Sequence, residues 1–181
     1  MGRLHSTGGF WLLMGALLLA APLSLVGWFV LACAVHELGH LLAIHALGGR
    51  VGEFWLTGLG AVMTPRRRMF SYGEECLVAL AGPGASLLLA LLAAPVWETL
   101  AGLSLALGLF NLLPLAPLDG GRILGAVVSR LAGPDTGERV GRLVTRALAL
   151  SLAAVGLWTA AQGGSFTLLL FSLGFLFLGE R

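Results

Sequence analysis

The chain has 181 residues, of which 57% are hydrophobic and only 11% are charged. Soluble domains average roughly 45–50% apolar and about 25% charged residues, so this composition excludes an ordinary soluble domain and indicates an integral membrane protein. The formal net charge is only +2. A balance this close to neutral gives no reason to expect a nucleic-acid partner, and the expected surrounding is the lipid bilayer.

Apolar runs along the chain predict about six transmembrane helices and hence an all-α polytopic membrane protein. The runs cover residues 9–25, 26–47, 76–96, 99–118, 143–161 and 164–178. Most of them reach the ~17–25 residues that a spanning helix needs, and the first and last runs are marginal. No change in composition marks a second domain. Residues 1–181 are therefore expected to form one membrane-embedded domain, with its core spans at about 26–122.

The arginines are distributed unevenly among the predicted loops. There are eleven of them and no lysine, and all eleven fall on one side of a six-span arrangement. The opposite loops, near Pro22, Pro95 and Gln162, carry no arginine. Arginine and lysine accumulate on the cytoplasmic side of membrane proteins, so both termini are expected in the cytoplasm. We expect a multi-pass protein of a bacterial cytoplasmic membrane.

The most informative motif is the pentapeptide HELGH at residues 36–40, about midway along the second apolar run. In a helix of 3.6 residues per turn, His36 and His40 lie on one face, one turn apart. Two such imidazoles can share a Zn²⁺ ion, and a catalytic zinc site has three protein ligands and one position for water. Glu37 is placed to accept a proton from that water, which makes it the predicted general base.

A purely structural role is the alternative for these three residues, which would then pair with one another or with backbone groups inside a helix bundle. Ionisable residues inside a membrane cost on the order of 2.5 kcal/mol or more each, so a functional site is favoured. His45 follows His36 by nine residues, which places it on the opposite helix face and predicts that it is not a ligand. Cys33, one turn before His36, is predicted to be a small packing residue.

The segment between the second and third spans, residues 48–63, is less polar than a loop needs to be. Apolar residues such as Val51 are interleaved with polar and small residues such as Thr57, and glycines follow at 58 and 60. This pattern predicts a short membrane-associated β-hairpin with a glycine turn. An irregular interfacial loop anchored by Trp55 is the alternative. The edge of such a hairpin is expected to bind an unwound substrate by strand addition.

Asp119 is one of only two aspartates, and it follows a proline-rich segment at the end of the fourth predicted span. Pro114 and Pro117, with glycines at 120 and 121, are expected to break the helix and to leave the carboxylate on irregular backbone that can turn inward. Taken alone, this pattern is typical of an ordinary helix end. Because the HELGH motif lacks a third ligand, Asp119 becomes the predicted one.

Three motifs together resemble the core of the site-2 protease family of intramembrane zinc metalloproteases. They are HELGH at 36–40, Ala81-Gly82-Pro83 in the third span and NLLPLAPLDGG at 111–121, of which the last is the most distinctive. The resemblance covers about residues 26–122, and the flanking spans match only in number and polarity. This chain has Ser86 where members of that family usually carry Asn, and a serine can still form a hydrogen bond.

The resemblance implies that His36, His40 and Asp119 hold the zinc, that Glu37 is the general base and that Asn111 holds the substrate backbone. The implied activity is hydrolysis of peptide bonds within or near transmembrane segments of membrane proteins. A helical substrate must unwind locally before its carbonyls can be attacked. Many family members carry a PDZ or a nucleotide-binding regulatory domain. This chain is expected to be a minimal form, regulated by a membrane partner or by prior trimming of the substrate.

Two other functions fit the same motif. One is a membrane-anchored zinc peptidase that uses a glutamate as its third ligand, with Glu74, Glu75 and Glu98 as the available residues. The other is a non-catalytic relative that binds and shelters membrane segments. Replacing the three glutamates one at a time tests the first alternative, and Glu37→Gln tests the second.

Overall fold

The computed structural model describes residues 3–57, 60–66, 69–163 and 172. The chain divides into two compact units, Met1–Phe110 and Asn111–Arg181. The first unit contains β1 (Arg3–Ser6), α1 (Gly8–Ala20), α2 (Leu23–Ala46), β2 (Arg50–Thr57), β3 (Gly60–Arg66), α3 (Tyr72–Ala93) and α4 (Glu98–Asn111), and the second contains α5 (Asp119–Ala132) and α6 (Pro134–Ala161). The prediction of an all-α protein is confirmed in part, since the described residues are mostly helical but also contain a three-stranded sheet.

Three of these helices, α2, α3 and α6, are long and apolar enough to cross a membrane. Helix α1 is apolar but has 13 residues, and α4 has 14 residues. At 1.5 Å per residue these two helices rise about 20 Å, which is less than the ~30 Å hydrocarbon core of a bilayer. The sixth predicted span, residues 164–178, lies outside the described residues apart from Ser172. The six-span topology therefore stays a prediction.

The predicted β-hairpin is present as β2 and β3, which pair antiparallel, while residues 58–59 of its turn lie outside the described residues. The sequence did not indicate the third strand of this sheet, β1, which pairs parallel with β2. The His5 ring of β1 stacks on the Trp55 ring of β2 with centroids 4.3 Å apart. The strand order is β1-β2-β3, so β3 lies at an edge of the described sheet.

The core of the first unit lies where α2, α3 and α4 pack together. Ala32 of α2, Ala93 of α3 and Leu100 of α4 form its buried apolar cluster. Helix α3 begins with a capping box, in which the Ser71 side chain accepts a hydrogen bond from the Glu74 amide and the Glu74 side chain accepts one from the Ser71 amide. This reciprocal pairing satisfies two backbone donors that a helix start otherwise leaves unpaired.

In the second unit, α5 and α6 are joined through Gly133, whose φ of 90° is open to glycine and rare for other residues. The helices approach closely near Gly137 of α6, where a β-carbon would overlap the side chain of Ser129 in α5. Leu115 and Leu118, from the segment before α5, form a buried cluster with Ala149 of α6. This cluster holds the proline-rich segment against α6.

The expectation that Asp119 lies on irregular backbone is wrong by one residue. The irregular segment is 112–118, and Asp119 is the first residue of α5. Helix formation can begin there because residues 120 and 121 are glycines. A β-carbon on Gly120 would overlap the carbonyl groups of Leu112 and Leu113, and one on Gly121 would overlap that of Leu115.

Candidate metal centre

Helix α2 has one buried face and one exposed face at the HELGH motif. His36, Gly39 and His40 are buried, as the 3.6-residue period of a helix dictates for positions three and four apart. Leu38 and Leu42 lie on the other side and are about half exposed or more, at 49% and 62%. In a membrane helix an exposed leucine faces lipid, so the two imidazoles point away from lipid and into the protein.

Both imidazole rings are held at their Nδ1 atoms by helix α3. His40 Nδ1 lies 2.8 Å from the backbone carbonyl oxygen of Val78. His36 Nδ1 lies 2.9 Å from the hydroxyl oxygen of Ser86. These contacts leave the Nε2 atoms of the two rings facing each other, 3.2 Å apart.

The Val78 contact defines the protonation of His40. A carbonyl oxygen can only accept a hydrogen bond, so His40 Nδ1–H donates to it. In the neutral ring the other nitrogen, Nε2, then carries a lone pair, which is the form that binds a metal. Metal-binding histidines in general donate their second ring N–H to a carbonyl, a carboxylate or water, and the His40–Val78 pair has this arrangement.

Glycines set the close approach of α2 to α3 around these rings. A β-carbon on Gly39 of α2 would overlap the backbone of Ala81 and crowd the β-carbon of Ala85 in α3. A β-carbon on Gly82 would overlap the His40 ring itself. Gly82 belongs to the Ala81-Gly82-Pro83 motif. Sterics explain why this motif has a glycine at its centre, because the missing side chain lets the His40 ring pack directly against α3.

In the second unit, Asp119 is buried at the N-terminus of α5. The Arg122 guanidinium lies 3.3 Å from its Oδ1 atom, one turn along the helix. The N-terminus of a helix carries partial positive charge, so the helix and Arg122 both place positive charge beside the carboxylate. The segment leading to Asp119 is held by the Ala116 amide, which donates to the Thr145 hydroxyl of α6 at 3.0 Å.

His36 and His40 are buried in the first unit, and Asp119 is buried in the second. Each of the three side chains offers one atom that can ligate a metal ion. Two imidazoles and a carboxylate are ligands that zinc uses in catalytic sites.

The separation of the two Nε2 atoms provides a test of fit for zinc. Ligand nitrogens at about 2.0–2.1 Å in tetrahedral geometry lie roughly 3.3 Å from each other. His36 Nε2 and His40 Nε2 are 3.2 Å apart. The histidine pair is thus already spaced as a zinc ion requires.

The other predicted residues occupy varied positions. Glu37 is half-buried on α2, beside the histidine face, and Asn111 is the half-buried last residue of α4. His45 is exposed at the end of α2. Cys33 is a partly buried free thiol. Glu74 forms the capping box of α3, and Glu98 is exposed at the start of α4.

Sequence reasoning missed the groups that orient the two histidines. In the sequence Ser86 stands out only as a departure from a family pattern, and its contact with His36 spans 50 residues of chain. The carbonyl of Val78 carries no side-chain signal at all. The position of the two residues was the one signal that could have pointed to them. Val78 and Ser86 each lie about one turn from Gly82, on the same buried face of α3.

Comparison with known proteins gives a consistent set of similarities. Residues 93–155 match the model of peptidase family M50. Rip3 of Mycobacterium tuberculosis, which bears the name of a zinc metalloprotease, is 33% identical over 174 residues, covering 86% of this chain. Zinc metalloprotease MJ0392 of Methanocaldococcus jannaschii is 29% identical over 136 residues, covering 68% of this chain.

A solved structure is also similar over nearly the whole chain. It is the site-2 protease from Methanocaldococcus jannaschii, with a TM-score of 0.75 and 26% sequence identity, covering 97% of this chain and 88% of that one. The two curated relatives are longer, and this chain spans 42% and 40% of their lengths.

Proposed function

Because this chain belongs to the site-2 protease family of zinc metalloproteases, we propose that it hydrolyses peptide bonds within or near transmembrane segments of membrane-protein substrates. The observation that carries the proposal is the buried histidine pair. Helix α3 holds both Nδ1 atoms, and the two Nε2 atoms are 3.2 Å apart. This arrangement supports a metal site in a helix that is long and apolar enough to cross a membrane.

In this proposal His36, His40 and Asp119 hold the zinc. When bound, zinc supplies Lewis acidity toward the scissile carbonyl and toward water. Glu37 accepts a proton from the attacking water as its oxygen adds to the carbonyl carbon, and it then donates that proton to the leaving amine as the C–N bond breaks. Asn111, at the end of α4, is proposed to hold the substrate backbone through its side-chain amide.

The depth of His36 supports cleavage inside the bilayer. It lies ten residues before the end of α2 at Ala46. At 1.5 Å per residue this corresponds to about 15 Å of helix, or roughly half of a ~30 Å hydrocarbon core. The peptide bond cleaved is therefore expected to come from a membrane segment that unwinds near the site.

The remaining parts of the proposal concern location and partners. We place the protein in a bacterial cytoplasmic membrane as a multi-pass protein with both termini cytoplasmic, on the strength of the one-sided arginines. Its substrates are proposed to be transmembrane proteins. A membrane partner or prior trimming of the substrate is proposed to regulate access to the site.

The test is a matched pair of glutamate variants in purified protein. Glu37→Gln keeps the side-chain shape but cannot accept the proton, so hydrolysis of a model transmembrane peptide should fall by on the order of 10² or more. Bound zinc should remain near one per chain. Glu98→Gln makes the same change at an exposed position on α4 and should keep both zinc and cleavage.

Two results would point to the alternatives. Undiminished cellular function in Glu37→Gln would favour a non-catalytic protein that shelters membrane segments. Loss of zinc on replacing Glu75 or Glu98 would favour a peptidase with a glutamate ligand. Glu74 is already used in the α3 capping box, so its replacement is expected to weaken the helix start.

A further inference from the structure

We infer that the Ser86 hydroxyl is a positioning residue that accepts a hydrogen bond from His36 Nδ1–H and so presents His36 Nε2 to the metal. This inference rests on the proposed function, because it assigns a partner to one of the proposed zinc ligands. His40 has a backbone carbonyl for this purpose, whereas His36 has the side chain of Ser86.

The contact between Ser86 and His36 is fully buried. Ser86 has 0% of its surface exposed, His36 has 4%, and the Nδ1 to Oγ distance is 2.9 Å. Bulk water does not compete for a hydrogen bond in such a position, and an unpaired ring N–H there costs about 1–3 kcal/mol. The contact therefore stabilises the ring orientation in which Nδ1 faces the Ser86 hydroxyl. In a neutral ring whose Nε2 lone pair binds a metal, the proton lies on Nδ1, so Nδ1–H donates and Ser86 Oγ accepts.

Helix α4 approaches α3 closely at Ser86. A β-carbon on Gly108 of α4 would lie 3.2 Å from the Ser86 β-carbon and 3.2 Å from the Leu87 side chain, which is tighter than ordinary van der Waals contact. The glycine at residue 108 therefore lets α4 pack at this short distance without pressing on the Ser86 side chain.

The close approach of α2 and α3 explains how so short a side chain reaches His36. Gly39 of α2 packs against Ala81 and Ala85 of α3, and Ala85 is the residue next to Ser86. A serine extends only one oxygen beyond its β-carbon, so it can reach across only where two helices are in near contact. Gly39 therefore allows the close helix packing that the Ser86–His36 hydrogen bond requires.

The test compares two serines that share burial but differ in partner. Ser104 on α4 is also 0% exposed, and its Oγ atom has no hydrogen-bond partner among the described residues. Ser86→Ala should lower zinc affinity about 10- to 100-fold, measured by competition with a chelator on the purified protein. It should also change the absorption spectrum of the Co²⁺-loaded protein. Ser104→Ala removes the same hydroxyl without a hydrogen bond and should match the wild type in both measurements.

A second readout separates the metal site from folding. Ser86→Ala adds no atom to the buried site, so circular dichroism of the metal-free variant should show wild-type helix content while its zinc affinity falls. Equal losses of zinc affinity in Ser86→Ala and Ser104→Ala, or wild-type affinity and an unchanged Co²⁺ spectrum in Ser86→Ala, would overturn the inference while leaving the proposed function intact. Wild-type protein that cleaves peptides but binds no zinc would overturn both.

Discussion

Gly82 and His40 are in such close contact that a single added β-carbon at residue 82 would overlap the imidazole ring. Val78 lies on α3, one turn before Gly82. His40 of α2 can therefore donate to the Val78 carbonyl only because residue 82 has no side chain. The motif in α3 thus acts on the metal centre sterically, through the orientation of a histidine that belongs to α2.

Gly82→Ala should displace the His40 ring and weaken zinc binding by on the order of tenfold or more, because it breaks the contact that orients a ligand. The added methyl should also lower the free energy of unfolding by about 1–3 kcal/mol through overpacking. The matched control is Gly84→Ala, since Gly84 lies on the same helix and has open space around it. Zinc titration of both purified variants is the measurement. Equal zinc affinity in Gly82→Ala and Gly84→Ala would contradict the steric argument.

Asp119→Ala should lose both zinc and proteolysis, because two imidazoles alone form a weak site. The control is His45→Ala, which removes an exposed histidine from the same helix as the two proposed histidine ligands and should change neither property. Metal content by atomic spectroscopy and cleavage of a model transmembrane peptide are the two readouts. Full zinc content and full activity in Asp119→Ala would contradict this assignment. The third ligand would then be another residue, and the protein would belong to a different class of peptidase.

The arginine distribution predicts the orientation of the chain in the membrane. Reporters fused after Arg68, Arg130 and Arg181 should give a cytoplasmic signal, and one fused near Glu98 should report the opposite side. The helix that follows Glu98 is short, so this fusion is the most informative of the four. A cytoplasmic signal at Glu98 would contradict the six-span topology.

Strand β3 lies at an edge of the described sheet and is predicted to bind an unwound substrate by strand addition. Proline at Leu59 or Ala61 should lower cleavage while leaving zinc content unchanged, and at Ala61 it removes a backbone N–H of β3. Ala61→Ser keeps the N–H at the same position and serves as the control. Normal cleavage by both proline variants would count against binding at this edge.

The parts of the fold that could be predicted from sequence are those whose cause is local. The hairpin follows from apolar residues interleaved with glycine, and it was found as β2 and β3. Strand β1 could not be predicted, because it has only four residues and its partner lies about fifty residues away. The sequence predicts irregular backbone at Asp119, but α5 begins at this residue. The two glycines after it allow the helix to start close to the carbonyls of Leu112 and Leu115.

For the metal centre, composition alone was enough to indicate a membrane protein, and the four-residue spacing alone was enough to bring His36 and His40 to one helix face. Both follow from the sequence because they depend on properties of single residues and on the fixed period of a helix. The tertiary structure decided which way the two rings are held, since their partners lie 50 and 38 residues away, at Ser86 and at the carbonyl of Val78. Such contacts depend on how closely two helices pack, and that distance is set by glycines whose role becomes visible only when the facing helix is in place.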